Sequence, residues 1–304
     1  MYSPAISDSA RATPCAVCCL GAGCPILRVF CEGWVFAFVE RQARSVAVVR
    51  SMFRLLDHPF PVLGICLLLF WISAWTGASI HGFRKNLTED SRKDLTFVLG
   101  AALTLLGLII GFTFSMALNQ YDQRKAYELE EANTIGTEYS RADLLPAEQA
   151  AKVRLLLQQY LDQRLLFYES RNDEQVKQVE ARSARLQSAM WSAVAAGAPE
   201  RPTAILSLAI AGMNNVIDSQ GYAQGVWRMR IPVAAWILLI AISILCNFLI
   251  GYAAREKSAA QLIVLPLALS ISLFLIADID SPRGGIIRAY PQNLESVSQS
   301  LHSE

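Results

Sequence analysis

Five of the chain's seven cysteines, Cys15, Cys18, Cys19, Cys24 and Cys31, fall within the stretch CAVCCLGAGCPILRVFC. Thiols grouped this closely could bind zinc or carry a lipid. A structural zinc site needs four ligands, however, and neither a second Cys-x-x-Cys half nor a neighbouring His is present. The three histidines, His58, His81 and His302, lie far apart, and none stands in a His-Glu-x-x-His spacing. Glu130 and Glu131 are adjacent on a helix, so they point apart instead of sharing a substrate. Nucleophile elbows, Walker loops and dinucleotide fingerprints are missing. These residues predict neither an enzyme nor a cofactor or metal site.

The elements that would have to position any site are unusual. The chain has 304 residues, of which 53% are hydrophobic and only 17% charged, against about 25% charged in ordinary soluble domains. Its net charge of +1 gives no basic field that would argue for nucleic acid. Blocks 58–83, 95–121, 231–254 and 258–277 contain no Asp, Glu, Lys or Arg. Each reaches the ~20 residues that a helix needs to cross hydrocarbon. Four membrane spans are predicted, with the lipid bilayer as the first partner.

An even number of spans places both termini and the polar middle on one side. Nine Lys and Arg lie near the span ends on that side and six in the opposite loops, which favours cytoplasmic termini and a cytoplasmic middle domain. The expected division is 1–51, an extension unlike the rest; 52–118, the first pair of spans; 119–230, a helical cytoplasmic domain; 231–278, the second pair; and 279–304, a C-terminal tail. Met52 opens a short basic lead into the first span, so translation is expected to begin at or near it.

The middle domain reads as helical throughout. Asp143 is a candidate helix cap and Pro146 suits a first turn. Val153, Leu157, Tyr160, Leu161 and Tyr168 then recur at helical spacing as one apolar stripe. A second helix is expected to end near Gly197 and a third to open at Pro202. With no strand alternation of any length, the fold class is all-α.

On a wheel of about 100° per residue, Thr104, Leu108, Phe112, Ser115 and Asn119 fall within about 80° of one another on the second span. Gly100, Gly107 and Gly111 form a second stripe beside them, and Gly107 and Gly111 make a Gly-x-x-x-Gly pair suited to close helix packing. The plain reading is a packing face. The functional one is a pore wall in which copies of Leu108 and Phe112 exclude water from a shared axis.

The stretch GFTFSMALNQYDQRK…EEANTIGTEYSRADLLP, followed later by ADIDSPRGGIIR, resembles bestrophin-like bacterial membrane proteins over roughly residues 55–295. Ile110-Gly111-Phe112 and Tyr121-Asp122-Gln123-Arg124 are also similar to the pore helix of bestrophin channels, and Asp280, Pro282 and Gly284 to the segment after their last span. The resemblance implies a homo-oligomer, a pentamer among the possible forms, that conducts inorganic ions. Its hydrophobic neck would fall on Thr104, Leu108 and Phe112, and the second span would continue as the wall of a cytoplasmic vestibule. Tyr121, Asp122, Arg124, Glu131, Asn133, Arg141, Asp278, Asp280 and Pro282 carry the family motif. Asn119, Tyr121, Arg124, Glu131, Asn133, Glu138 and Arg141 would sit at or below that junction, and the role expected of most of them is pairing between helices of neighbouring subunits. Only Asp278 and Asp280 precede Pro282, too few oxygens for a calcium clasp, so calcium gating is not expected. Two other readings compete. A non-conducting scaffold or sensor would bind a cytoplasmic partner through 146–200, and a transporter would need broken helices beyond what Pro266 and Asn247 suggest.

Overall fold

A chain carrying apolar blocks through lipid must satisfy its backbone amides internally, which obliges it to be helical there. The computed structural model describes residues 58–83, 89–196, 204–253 and 259–303, and every regular element among them is helical. In chain order they are α1 (Pro59–Phe83), α2 (Glu89–Arg141), a 3-10 turn (Ala142–Leu144), α3 (Ala147–Glu169), α4 (Asp173–Ala196), α5 (Ala204–Arg228), α6 (Val233–Ala253), α7 (Ala259–Asp280) and α8 (Gln292–Ser303). Leu55–Glu304 cluster as one unit. The cysteine cluster, Met52 and Pro202 lie outside the described residues.

Four of these helices are long and apolar enough to cross a membrane. One of them does far more. The 53 residues of α2 extend about 80 Å at ~1.5 Å per residue, against ~30 Å of hydrocarbon. Its charge-free part ends at Tyr121, and no Gly or Pro interrupts the next turns, so one rod passes from apolar to polar surroundings. Its far end turns through Ala142–Leu144 into α3.

Both α1 and α2 pack on α6 and α7. The closest approach in this set is between α1 and α6. A β-carbon on Gly251 would lie 1.9 Å from the Ala74 carbonyl oxygen, and one on Gly77 2.2 Å from that of Phe248. Nearby, the buried Ser73 hydroxyl donates to the Ile244 carbonyl at 2.8 Å. Small residues let two backbones touch where lipid gives no hydrophobic drive for helix pairing. Gly251→Val forces a branched side chain against backbone that cannot yield. It should lower the thermal midpoint of the purified protein by roughly 5–10 °C, the scale of an overpacked site; an unchanged midpoint in a detergent melt would contradict this contact.

The helix α7 runs unbroken through Pro266, and buried Asn247 donates to the Ser243 carbonyl one turn back at 2.7 Å. The broken helix that a transporter reading wanted is therefore absent at both positions.

In the middle domain, Val153, Leu157, Tyr160, Leu161 and Tyr168 are all buried. They form one core with Ile135 and Tyr139 of α2, Met190 of α4 and Met213 and Val216 of α5. Asp143 does not cap α3. That position belongs to Pro146, with no side-chain cap, and Asp143 pairs instead with Arg154. The reason is the intervening 3-10 turn, which sets Asp143 too far upstream to reach the first amides of α3. The residues expected as a tail contain α8, which packs on α2 and α3.

Candidate functional site

The pore-wall stripe sits on an uncovered face of α2. Thr104, Leu108, Phe112, Ser115 and Asn119 are all exposed in the single chain, Leu108 at 55% and Phe112 at 66%. The face directly opposite, Leu106, Thr113, Ala117 and Gln120, is buried. The Thr104 hydroxyl is already satisfied by the Gly100 carbonyl at 2.9 Å, so the stripe offers its methyl group and two large apolar side chains outward. Gly100, Gly107 and Gly111 have nothing within 4 Å of where a β-carbon would stand. The expected packing role is therefore not exercised within this chain, where Gly77 and Gly251 provide the close contact instead. The glycines are open beside the stripe.

Below Tyr121 the buried face of α2 turns from apolar to charged. Arg124, Glu128, Glu131 and Glu138 are buried at spacings of four, three and seven, positions that apolar residues normally hold in a helix seam. Each meets a different element. The guanidinium of Arg124 donates to the carbonyls of Ile279 and Asp280 at 3.1 Å and of Met229 at 3.3 Å, gathering the end of α7 and the link between α5 and α6. Glu128 accepts from the Asn293 and Leu294 amides at 3.0 and 2.9 Å and from the Asn293 side chain at 2.6 Å. It thus caps α8 from outside, satisfying amides that a helix start leaves open. Glu131 is bound by Arg164 through two nitrogens and accepts the Tyr168 hydroxyl at 3.0 Å.

The motif residues therefore separate. Arg124, Asp278, Asp280 and Pro282 come together at the end of α7. Asp280 accepts the Ile231 amide at 3.0 Å, and Asp278 accepts those of Ile286 and Ile287 at 2.7 and 2.8 Å. Gly285 lies so close that a β-carbon would stand 2.4 Å from the Asp278 carbonyl oxygen. Both carboxylates thus fasten backbone, and Pro282 is buried in the turn that follows α7. Glu131 belongs to the core of the middle domain, Tyr121 is half-buried, and Asp122 is exposed.

Asn133 and Arg141 lie elsewhere, in a groove between α2 and α5. It encloses about 400 Å³ and is lined from α2 by Ala126, Leu129, Glu130, Asn133, Thr134, Thr137 and Arg141 and from α5 by Gly212 and Asn215. Ala126, Glu130, Asn133 and Thr137 continue the Thr104–Asn119 stripe at about 100° per residue. Beside Gly212 lies Glu138, fully buried, its two carboxyl oxygens without a hydrogen-bond partner. Burial pushes its carboxyl up to about 8, with Arg141 pulling the other way. Sequence reasoning missed Glu128, Arg164, Gly212 and Asn215. The seam spacing of Arg124, Glu128 and Glu131 was the available signal for the first.

A 53-residue helix with an uncovered apolar stripe, held against a pair of spans and a helical domain inserted between them, defines a class of four-span all-α membrane protein. Residues 67–294 match the Bestrophin-like domain, and the chain belongs to that family. Its fold is similar to crystal structures of a bacterial bestrophin homologue from Klebsiella pneumoniae. A tryptophan-to-alanine variant gives a TM-score of 0.60 at 11% identity, covering 79% of this chain and 96% of that one. The structure phased on zinc gives 0.57 at 14%, covering 79% and 97%. Curated protein sequences give no match.

Proposed function

We propose that the protein is a homo-oligomeric ion channel in which copies of α2 stand around a common axis. The observation that carries this reading is the exposure of Leu108 and Phe112 on the face of α2 turned away from the rest of the chain. Assembled copies give that face an occupant other than lipid. The neck is then the Thr104, Leu108 and Phe112 layer, apolar and neutral, and it gates by admitting or expelling water. Ser115 and Asn119 form the polar mouth below it, and Gly100, Gly107 and Gly111 allow neighbouring subunits to close in. The family gives the general support, and the bestrophin homologues share the fold.

In this arrangement the divisions 52–118, 119–230 and 231–278 become pore pair, vestibule wall and outer pair. The middle domain and both termini face the cytoplasm of a bacterial inner membrane, following the excess of Lys and Arg on that side. Planar bilayers containing the purified protein should conduct. Bilayers that stay silent across pH, calcium and voltage would overturn the reading in favour of a scaffold or sensor.

A further inference from the structure

Along α7, Ile263, Leu267, Ile271 and Leu275 are exposed at four-residue spacing, an aliphatic stripe that no described helix covers. At about 100° per residue, Asp278 falls within ~20° of both Leu267 and Ile271, so the stripe ends on a carboxylate. A bare charge on that face would meet hydrocarbon, where it is costly. Asp278 is nonetheless buried, because the chain beyond α7 folds back over it. Ile286 and Ile287 donate their amides to its two oxygens at 2.7 and 2.8 Å. Gly285 lies against its carbonyl, where a β-carbon would stand 2.4 Å from the oxygen. The Gly284 amide is held by the Ser281 hydroxyl at 3.1 Å. Residues 284–287 are therefore a fixed turn, level with the last turn of a span that ends at Asp280.

The side chains that this turn leaves uncovered are apolar. Ile286 is 60% exposed, and Ile287 and Tyr290 are exposed as well. Between them Arg288 makes no ion pair with any described residue. Its guanidinium lies 5.2 Å from the Tyr290 ring centre and donates to the Tyr290 hydroxyl at 3.1 Å. Two aliphatic side chains followed by a paired Arg and Tyr, at the end of a span, follow the order of a membrane boundary. Acyl chains take the aliphatic groups, and the headgroup layer takes aromatic and basic ones.

We propose that residues 284–290 dock into the bilayer surface, with Ile286 and Ile287 among the acyl chains and Arg288 on the phosphate of an anionic phospholipid. Asp278 is the positioning residue, since its carboxylate fixes the backbone that carries both isoleucines. Lipid is the occupant because the turn continues the uncovered aliphatic stripe of a membrane-spanning helix at the depth where that helix ends. In addition, α7 packs on α2 without covering Leu108 or Phe112. A pore on that face of α2 would leave the turn outside it, so the docking does not depend on the channel reading.

Photocrosslinking of the full chain tests this, with p-benzoylphenylalanine in place of Ile286 and vesicles of equal parts phosphatidylcholine and phosphatidylglycerol. Illumination should attach a phospholipid at position 286, as it should from position 271 on the stripe. The same group in place of Gln159, exposed on the middle domain, should attach none. At position 286 phosphatidylglycerol should exceed phosphatidylcholine about fivefold, the scale of one arginine at an anionic surface. Arg288→Gln should bring the two lipids to parity while the adduct persists, and raised salt should do the same without that substitution. A crosslink to a second copy of the chain would overturn the proposal, as would no lipid at 286 beside a positive result at 271. So would parity of the two lipids in the chain that keeps Arg288, or an excess that survives both Arg288→Gln and salt. Silent bilayers with the lipid adduct in place would remove the channel and leave the docking, whereas conduction without the adduct would remove the docking alone.

Discussion

Replacing Arg164 with Met should destabilise the protein by about 3–5 kcal/mol, the usual loss when one member of a buried ion pair is removed. Arg164 and Glu131 have no exposed side-chain surface. Burial alone would pull the guanidinium down, but the Glu131 carboxylate and its hydrogen bonds outweigh that and hold it above the ordinary arginine range. Its plane also lies 4.3 Å from the Phe167 ring centre, so methionine replaces much of the volume but none of the charge. What remains is a carboxylate inside the core with only the Tyr168 hydroxyl for company. The loss corresponds to roughly 10 °C in a thermal melt of a chain this size. The double variant Glu131→Leu with Arg164→Met should recover most of it, because it strands no charge. A single variant that melts like the wild type would mean that the pair is solvated after all.

The second large effect concerns conduction. Phe112→Ala removes the largest side chain of the exposed stripe, and in a ring of copies it removes one such group per subunit. A constriction that gates by dewetting opens when it is widened. Single-channel current in planar bilayers should therefore rise several-fold over the wild type. Folding should hardly change, since Phe112 is 66% exposed in the chain itself. Unaltered current with normal expression would place the constriction somewhere other than on this stripe.

Much of the architecture was legible before any coordinates. Charge-free blocks mark the spans because lipid tolerates no stray charge, and the Val153–Tyr168 stripe marks the core because an isolated helix must cover its apolar side. The uncovered stripe on α2 was readable for the same reason, as a periodicity. What a single helix cannot reveal is which neighbour arrives. Gly107 and Gly111 advertise a close approach no more loudly than Gly77 and Gly251, yet only the second pair has a backbone against it. Asp278 and Asp280 show no role in the sequence beyond their place in the motif, because the amides of Ile231, Ile286 and Ile287 that they bind arrive only with the fold. Glu128 reads as one more surface acid because its partner helix begins some 165 residues later in the chain. The groove at Arg141 requires α5, so its lining could not be assembled from α2 alone.

A cryo-electron microscopy map of the purified complex tests the assembly most directly. A closed ring of several copies, with Leu108 and Phe112 of every α2 pointing to a shared central hole, is the predicted result. A lone subunit, or an assembly whose Phe112 rings face the detergent belt, would contradict it.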